Sequence, residues 1–112
     1  MATAEITVIP VGREGAGISS ILAEVARHLA AQERVRFEMH AMGTDLEGEV
    51  SDILKLTGEL QEIPLKLGVP RVYTVLKLDN RVDRDQTLED KVSSIEEKLL
   101  GSDDLSSSTP PE

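Results

Sequence analysis

Residues 42–48, Met-Gly-Thr-Asp-Leu-Glu-Gly, set one hydroxyl and two carboxylates between two glycines. Polar groups held between small residues can approach a ligand closely, and binding residues favour loops set on a rigid scaffold. The competing reading is a tight hairpin with an acidic rim. A second polar stretch, residues 77–85, reads Lys-Leu-Asp-Asn-Arg-Val-Asp-Arg-Asp, with charges that alternate in sign. Such a run forms a salt-bridge network, solvated or between subunits. The alternative is that Lys77 and Asp79 orient ligand groups. The question for the fold is whether the two stretches meet.

Other chemistry is sparse. The Gly-rich residues 12–17 precede a helix, a place that suits anions, but the G-x-x-G-x-G spacing matches neither a Walker loop nor the dinucleotide fingerprint. His28 falls near the end of a helix, where the dipole favours it. His40 falls near Glu38 without enough further ligands for a metal site. No nucleophile, base and orienter can be nominated together, so catalysis is not expected. The chain has no cysteine, which removes disulfides, thiolate catalysis and Cys-based metal sites. A net charge of −9 argues against binding nucleic acid or anionic membranes. No leader or long apolar run is visible, which makes a cytoplasmic location the default. Phe37 and Tyr73 are the only aromatic residues, so a stacked-ring site would need help from another subunit.

The elements that must position these groups follow from periodicity. Residues 3–11 alternate with period two and are rich in β-branched side chains, which predicts a strand that ends or sits at an edge at Pro10. Ile18, Ile21, Leu22, Val25, Ala26 and Leu29 share one face of a helix that Ser19 or a neighbour can cap. Residues 35–40 form a second strand, with Val35, Phe37 and Met39 inward, and residues 44–47 a short third. A second helix is expected over residues 51–67, kinked or broken near Gln61 to Pro64 because an interior proline removes a hydrogen bond and clashes with the preceding turn. Gly68 stops it. Residues 71–79 form the last strand. Thr87 and Asp90 make a capping box for a third helix, with Leu88, Val92, Ile95 and Leu99 on a narrow stripe and Gly101 at its end. Residues 101–112 are expected to be a disordered acidic tail.

This order predicts an α+β fold, a ferredoxin-like βαββαβ sandwich with an extra C-terminal helix, occupying residues 1–100. Both core helices cover one sheet face. The other face shows Glu5, Thr7, Ile9, Arg36, Glu38, His40, Tyr73, Val75 and Lys77. Apolar residues on that bare face suggest a subunit contact, so a homodimer or homotetramer is expected.

Three separated motifs carry a family resemblance: Glu5-Ile-Thr-Val-Ile-Pro-Val-Gly12; Met42-Gly-Thr44 with Glu47-Gly48; and Arg71-Val-Tyr-Thr with Lys77-Leu-Asp79-Asn-Arg81-Val-Asp83. Together they resemble the MTH1187/YkoF-like family of thiamine-binding proteins over residues 3–100. The resemblance implies a ferredoxin-like fold, an oligomer, no catalysis, and thiamine or a hydroxymethylpyrimidine-like relative as bound ligand, with no other cofactor. Pro64 and the acidic tail depart from the family pattern. Thiamine is cationic, and its aminopyrimidine both donates and accepts hydrogen bonds, so its site needs a carboxylate and small polar groups. Glu38 or Glu47 would supply the carboxylate, Thr44 and Ser19 the hydroxyls, and Lys77 and Asp79 further orientation. Glu47 as a helix-entry carboxylate and Ser19 as a cap are the plain structural alternatives. The functional alternative is an interaction module whose oligomer surface and tail recruit a protein, with no physiological small ligand.

Overall fold

A computed structural model describes residues 1–12 and 18–101. Seven elements follow in order: β1 (Ala2–Val11), α1 (Ile18–Ala31), β2 (Arg36–His40), β3 (Gly43–Gly48), α2 (Val50–Lys66), β4 (Arg71–Asn80) and α3 (Leu88–Gly101). The strands form one antiparallel sheet in the order β2-β3-β1-β4. This is the ferredoxin-like arrangement with an added C-terminal helix. Most of the Gly-rich stretch and the acidic tail, residues 13–17 and 102–112, lie outside the described residues.

Strand alternation puts Ala2, Ala4 and Ile6 of β1 and Leu46 of β3 on the face that α1 and α2 cover. The helical stripes meet them with Val25 and Leu29 from α1 and Ile53, Leu56 and Leu60 from α2. Each such side chain, fully buried, contributes roughly 1.5–3 kcal/mol. The core is aliphatic, as a chain with two aromatic residues requires; Phe37 packs at its margin.

Three local expectations resolve at their boundaries. Pro10 lies inside β1, which runs on to Val11. Pairing with β3 stops at Ile6, and beyond that point β1 has β4 alone as neighbour, so the proline sits on a local edge. The break expected near Pro64 does not occur, because α2 continues to Lys66. Proline removes one ladder donor in the last turn, and burial of its ring offsets part of that cost. Ser19 is not the cap of α1, since the helix begins one residue before it, at Ile18. The signals at Gly68 and Thr87 hold. Gly68 ends α2 with φ +95°. The Thr87 hydroxyl accepts the Asp90 amide and the Asp90 carboxylate accepts the Thr87 amide, both at 3.0 Å. His28 does more than face a helix dipole. Its Nε2 lies 2.9 Å from Glu59, and this contact, together with Arg34, holds the Glu59 carboxyl below its usual range.

An acidic groove between the open sheet face and α3

Register brings the polar side chains of the open face into rows. One row runs Arg36, Glu47, Thr3, Asp79 across all four strands. The next runs Glu38, Asp45, Glu5, Lys77. Three carboxylates thus stand side by side on adjacent strands, where directly opposed like charges repel. Three groups flank them, with Arg36 3.8 Å from Glu38. Lys77 pairs with Glu5 at 3.1 Å, and His40 Nε2 lies 2.9 Å from Asp45 and 3.9 Å from Glu38.

The third helix closes one side of these rows. Its first turn is tied to the sheet at three points. The Leu88 amide donates to Glu47 Oε1 at 2.9 Å, Arg36 pairs with Glu89, and Lys91 pairs with Asp79. Arg36 also donates to Glu47 at 3.1 Å. Through its hydrogen bond, Arg36 pulls the Glu89 carboxyl from its ordinary 4.5 down to about 2, and the same contact raises the Arg36 guanidinium. Between α3 and the sheet lies a groove of about 700 Å³, walled on the helix side by Leu88, Glu89, Lys91, Val92, Ser93 and Glu96. Its lining holds six carboxylates against two lysines and one histidine. That volume suits a small organic molecule, and that charge suits a cationic one. A second hollow of about 650 Å³ beside the start of α2 mixes Arg81 and Arg84 with Glu49 and Asp85 and has no comparable row.

Of the six residues nominated from sequence, Glu38, Lys77 and Asp79 line this groove, and Glu47 borders it. Thr44 does not join them. It pairs with Ile6 and Met39 on the helix-facing side and is 9% exposed. Ser19, in the first turn of α1, is also absent from its lining, so the single chain does not gather all six in this groove. The two polar stretches meet across β1 rather than directly: Asp45 and Lys77 both flank Glu5. Gly43 serves close packing of strands. A Cβ there would come within 3.2 Å of the Ile6 carbonyl oxygen and 3.1 Å of Thr7 Oγ1. Sequence reasoning missed Asp45 and the α3 residues Glu89, Lys91, Val92, Ser93 and Glu96 as lining. The inward Leu46 was a usable signal, since period two then turns Asp45 outward with Glu47. The alternating run 77–85 pairs largely within the chain, Arg81 with Asp83 at 2.7 Å and Asp85 with the N-terminal amine at 3.4 Å. The Arg81 contact holds the Asp83 carboxyl down at about 2. Among the described residues, no group of His, Asp and Glu has the spacing to hold a metal ion, and no helix is long and apolar enough to cross a membrane.

Comparison with known proteins agrees with this fold. A UPF0045 protein of Methanothermobacter thermautotrophicus is 42% identical over 100 residues, covering 88% of this chain and 100% of the relative. The UPF0045 protein YqgV of Bacillus subtilis is 34% identical over 102 residues, covering 88% and 98%. The crystal structure of protein MJ1052 of Methanocaldococcus jannaschii superimposes with a TM-score of 0.75 at 35% identity, over 86% of this chain and 96% of that one. The profile of the family described as thiamine-binding protein matches residues 4–96, and the chain belongs to that family.

Proposed function

We propose that the groove between the open sheet face and α3 binds thiamine or a hydroxymethylpyrimidine-like precursor without transforming it, and that the protein serves as carrier, buffer or sensor in the cytoplasm. The observation that carries this reading is the row Glu38, Asp45, Glu5 on the groove floor. Three adjacent carboxylates repel one another, so a bound organic cation gains their attraction and relieves their repulsion together. Family membership supports the ligand class. Glu38 is the first choice to meet the ligand's charge, because Glu47 is already engaged by Arg36 and by the Leu88 amide. Lys77 and Asp79 at the far end of the rows suit donor and acceptor groups of a pyrimidine. A homodimer or homotetramer belongs to this reading, since the groove is open and a neighbouring subunit would supply apolar wall.

One observation favours the second reading, an oligomeric interaction module. Val92, Ile95 and Leu99 of α3 are 55%, 60% and 61% exposed, which suits a protein surface as well as a ligand wall.

Isothermal titration calorimetry with thiamine, and separately with hydroxymethylpyrimidine, tests the proposal. Saturable binding with a fixed stoichiometry per chain is expected, weakened by Glu38→Gln. Absence of heat with either compound, in a folded sample at high protein concentration, would turn the conclusion to the interaction module.

A further inference from the structure

The apolar stripe of α3 is a short heptad seam. Leu88, Val92, Ile95 and Leu99 are spaced 4, 3 and 4 residues apart, which makes them successive d, a, d and a positions. On that frame Glu89 and Glu96 occupy e positions, and Lys91 and Lys98 occupy g positions. All the acidic flanking residues therefore lie on one side of the seam and all the basic ones on the other. We infer that α3 pairs in parallel with α3 of a second copy of this chain. The inference rests on the homo-oligomer reading above and says which surface makes the contact and in which orientation.

Charge decides the orientation. In a parallel pair, a g residue of one helix faces the e residue five positions on in its partner. Lys91, which contacts Asp79 of its own chain, then also meets Glu96 of the other copy, so a two-fold pair sets two further opposite-charge contacts across the seam. In an antiparallel pair, e faces e and g faces g, which sets glutamates against glutamates and lysines against lysines. Val92, Ile95 and Leu99 are more than half exposed in the single chain, so the seam is accessible. Two heptads are short for a coiled coil whose helices must form on association, because helix nucleation is costly. Here that cost is reduced beforehand. The capping box and the ties to Arg36, Glu47 and Asp79 fix the first turn of α3 on the sheet.

The contact would also reach the groove. Glu96 is part of its lining, so the partner's Lys91 neutralises one wall of each groove and leaves the negative charge concentrated in the carboxylate row on the floor. The site is incomplete without the second copy.

Sedimentation velocity over a dilution series, at low salt, tests the pairing with wild type, Lys91→Glu, Glu96→Lys and an equimolar mixture of the two variants. Each variant alone sets like charges across the seam and should self-associate about tenfold more weakly than wild type; Lys91→Glu also loses the Asp79 contact of its own chain, which Glu96→Lys leaves in place. The mixture restores both opposite-charge contacts and should associate as wild type does. Ile95→Cys, in a chain with no other cysteine, should form an interchain disulfide on oxidation, because a parallel pair sets the two d positions side by side. If wild type associates and neither charge variant weakens it, or the mixture does not recover, this inference fails and the oligomer reading stands. If wild type is monomeric, both fail and the seam is left to a different protein. The calorimetric titration with thiamine reports on the ligand reading separately.

Discussion

The Glu47 carboxylate accepts the backbone amide of Leu88 at 2.9 Å, from a residue 41 positions further along the chain. The Glu47 side chain is 12% exposed and also takes a hydrogen bond from Arg36 at 3.1 Å. It is thus the hinge between sheet and third helix, and its carboxylate is already committed. Glu47→Ala leaves the Leu88 amide and the Arg36 guanidinium short of an acceptor. We expect a loss of about 1–3 kcal/mol in urea unfolding and faster amide exchange in the first turn of α3. Unchanged exchange there would show that the remaining ties hold the helix without Glu47.

Glu38 should behave in the opposite way. Its nearest partners, the Arg36 guanidinium at 3.8 Å and the His40 imidazole at 3.9 Å, are at the limit of ion-pair contact, and it stands opposite Asp45. Removing its charge with Glu38→Gln relieves a like-charge neighbour, so stability should stay level or rise by up to about 0.5 kcal/mol. Thiamine affinity should fall about tenfold, equivalent to about 1.4 kcal/mol. Calorimetry and urea unfolding on the same preparation check both halves. A variant that binds as wild type does would place the ligand's charge elsewhere on the row.

The Arg36–Glu89 tie gives α3 a defined acid sensitivity. In the folded chain the Glu89 carboxyl is lowered from its ordinary 4.5 to about 2 by the Arg36 hydrogen bond. A folded-state value below the unfolded one means stability that is fully present above about pH 4.5 and lost as pH falls toward about 2. Wild type should therefore melt above Glu89→Gln at neutral pH. The gap should narrow as pH drops through that window and close near its lower end. Parallel thermal melts followed by circular dichroism check this, and a gap that is independent of pH would mean that packing, not charge, distinguishes the two chains.

Much of this architecture was legible because period two and period 3.6 are strong signals in an aliphatic chain. The parities of Ile6, Phe37 and Leu76 place Glu5, Glu38 and Lys77 on one face, and only the register makes them members of one row. Thr44 faces the helices with Leu46, and a strand that begins and ends in glycine offers few other apolar markers of its parity. The groove itself was not legible. It exists only because residues 81–87 return α3 across the open face, and ion pairs as distant as Arg36 and Glu89, 53 positions apart, hold it there. Local spacing does not encode such pairs. The continuity of α2 through Pro64 was not legible for a related reason: the ring is buried by tertiary packing that local spacing does not encode.

Two glycines separate backbone need from chance. Gly58 lies within α2, and a Cβ built there meets nothing within 4 Å. Gly58→Ala removes the entropic penalty of glycine in a helix at no steric cost, so it should stabilise the fold by about 0.5–1 kcal/mol. Gly68 also has open space around it, but its φ is +95°. Gly68→Ala must strain the backbone or unwind the end of α2, and should destabilise by about 1–2 kcal/mol. The contrast isolates conformation from packing, because neither new methyl group meets a neighbour. Urea midpoints that shift in opposite directions for the two substitutions are the expected result. A loss at both positions would mean that Gly58 serves a contact absent from the single chain, such as the approach of another subunit to that face of α2.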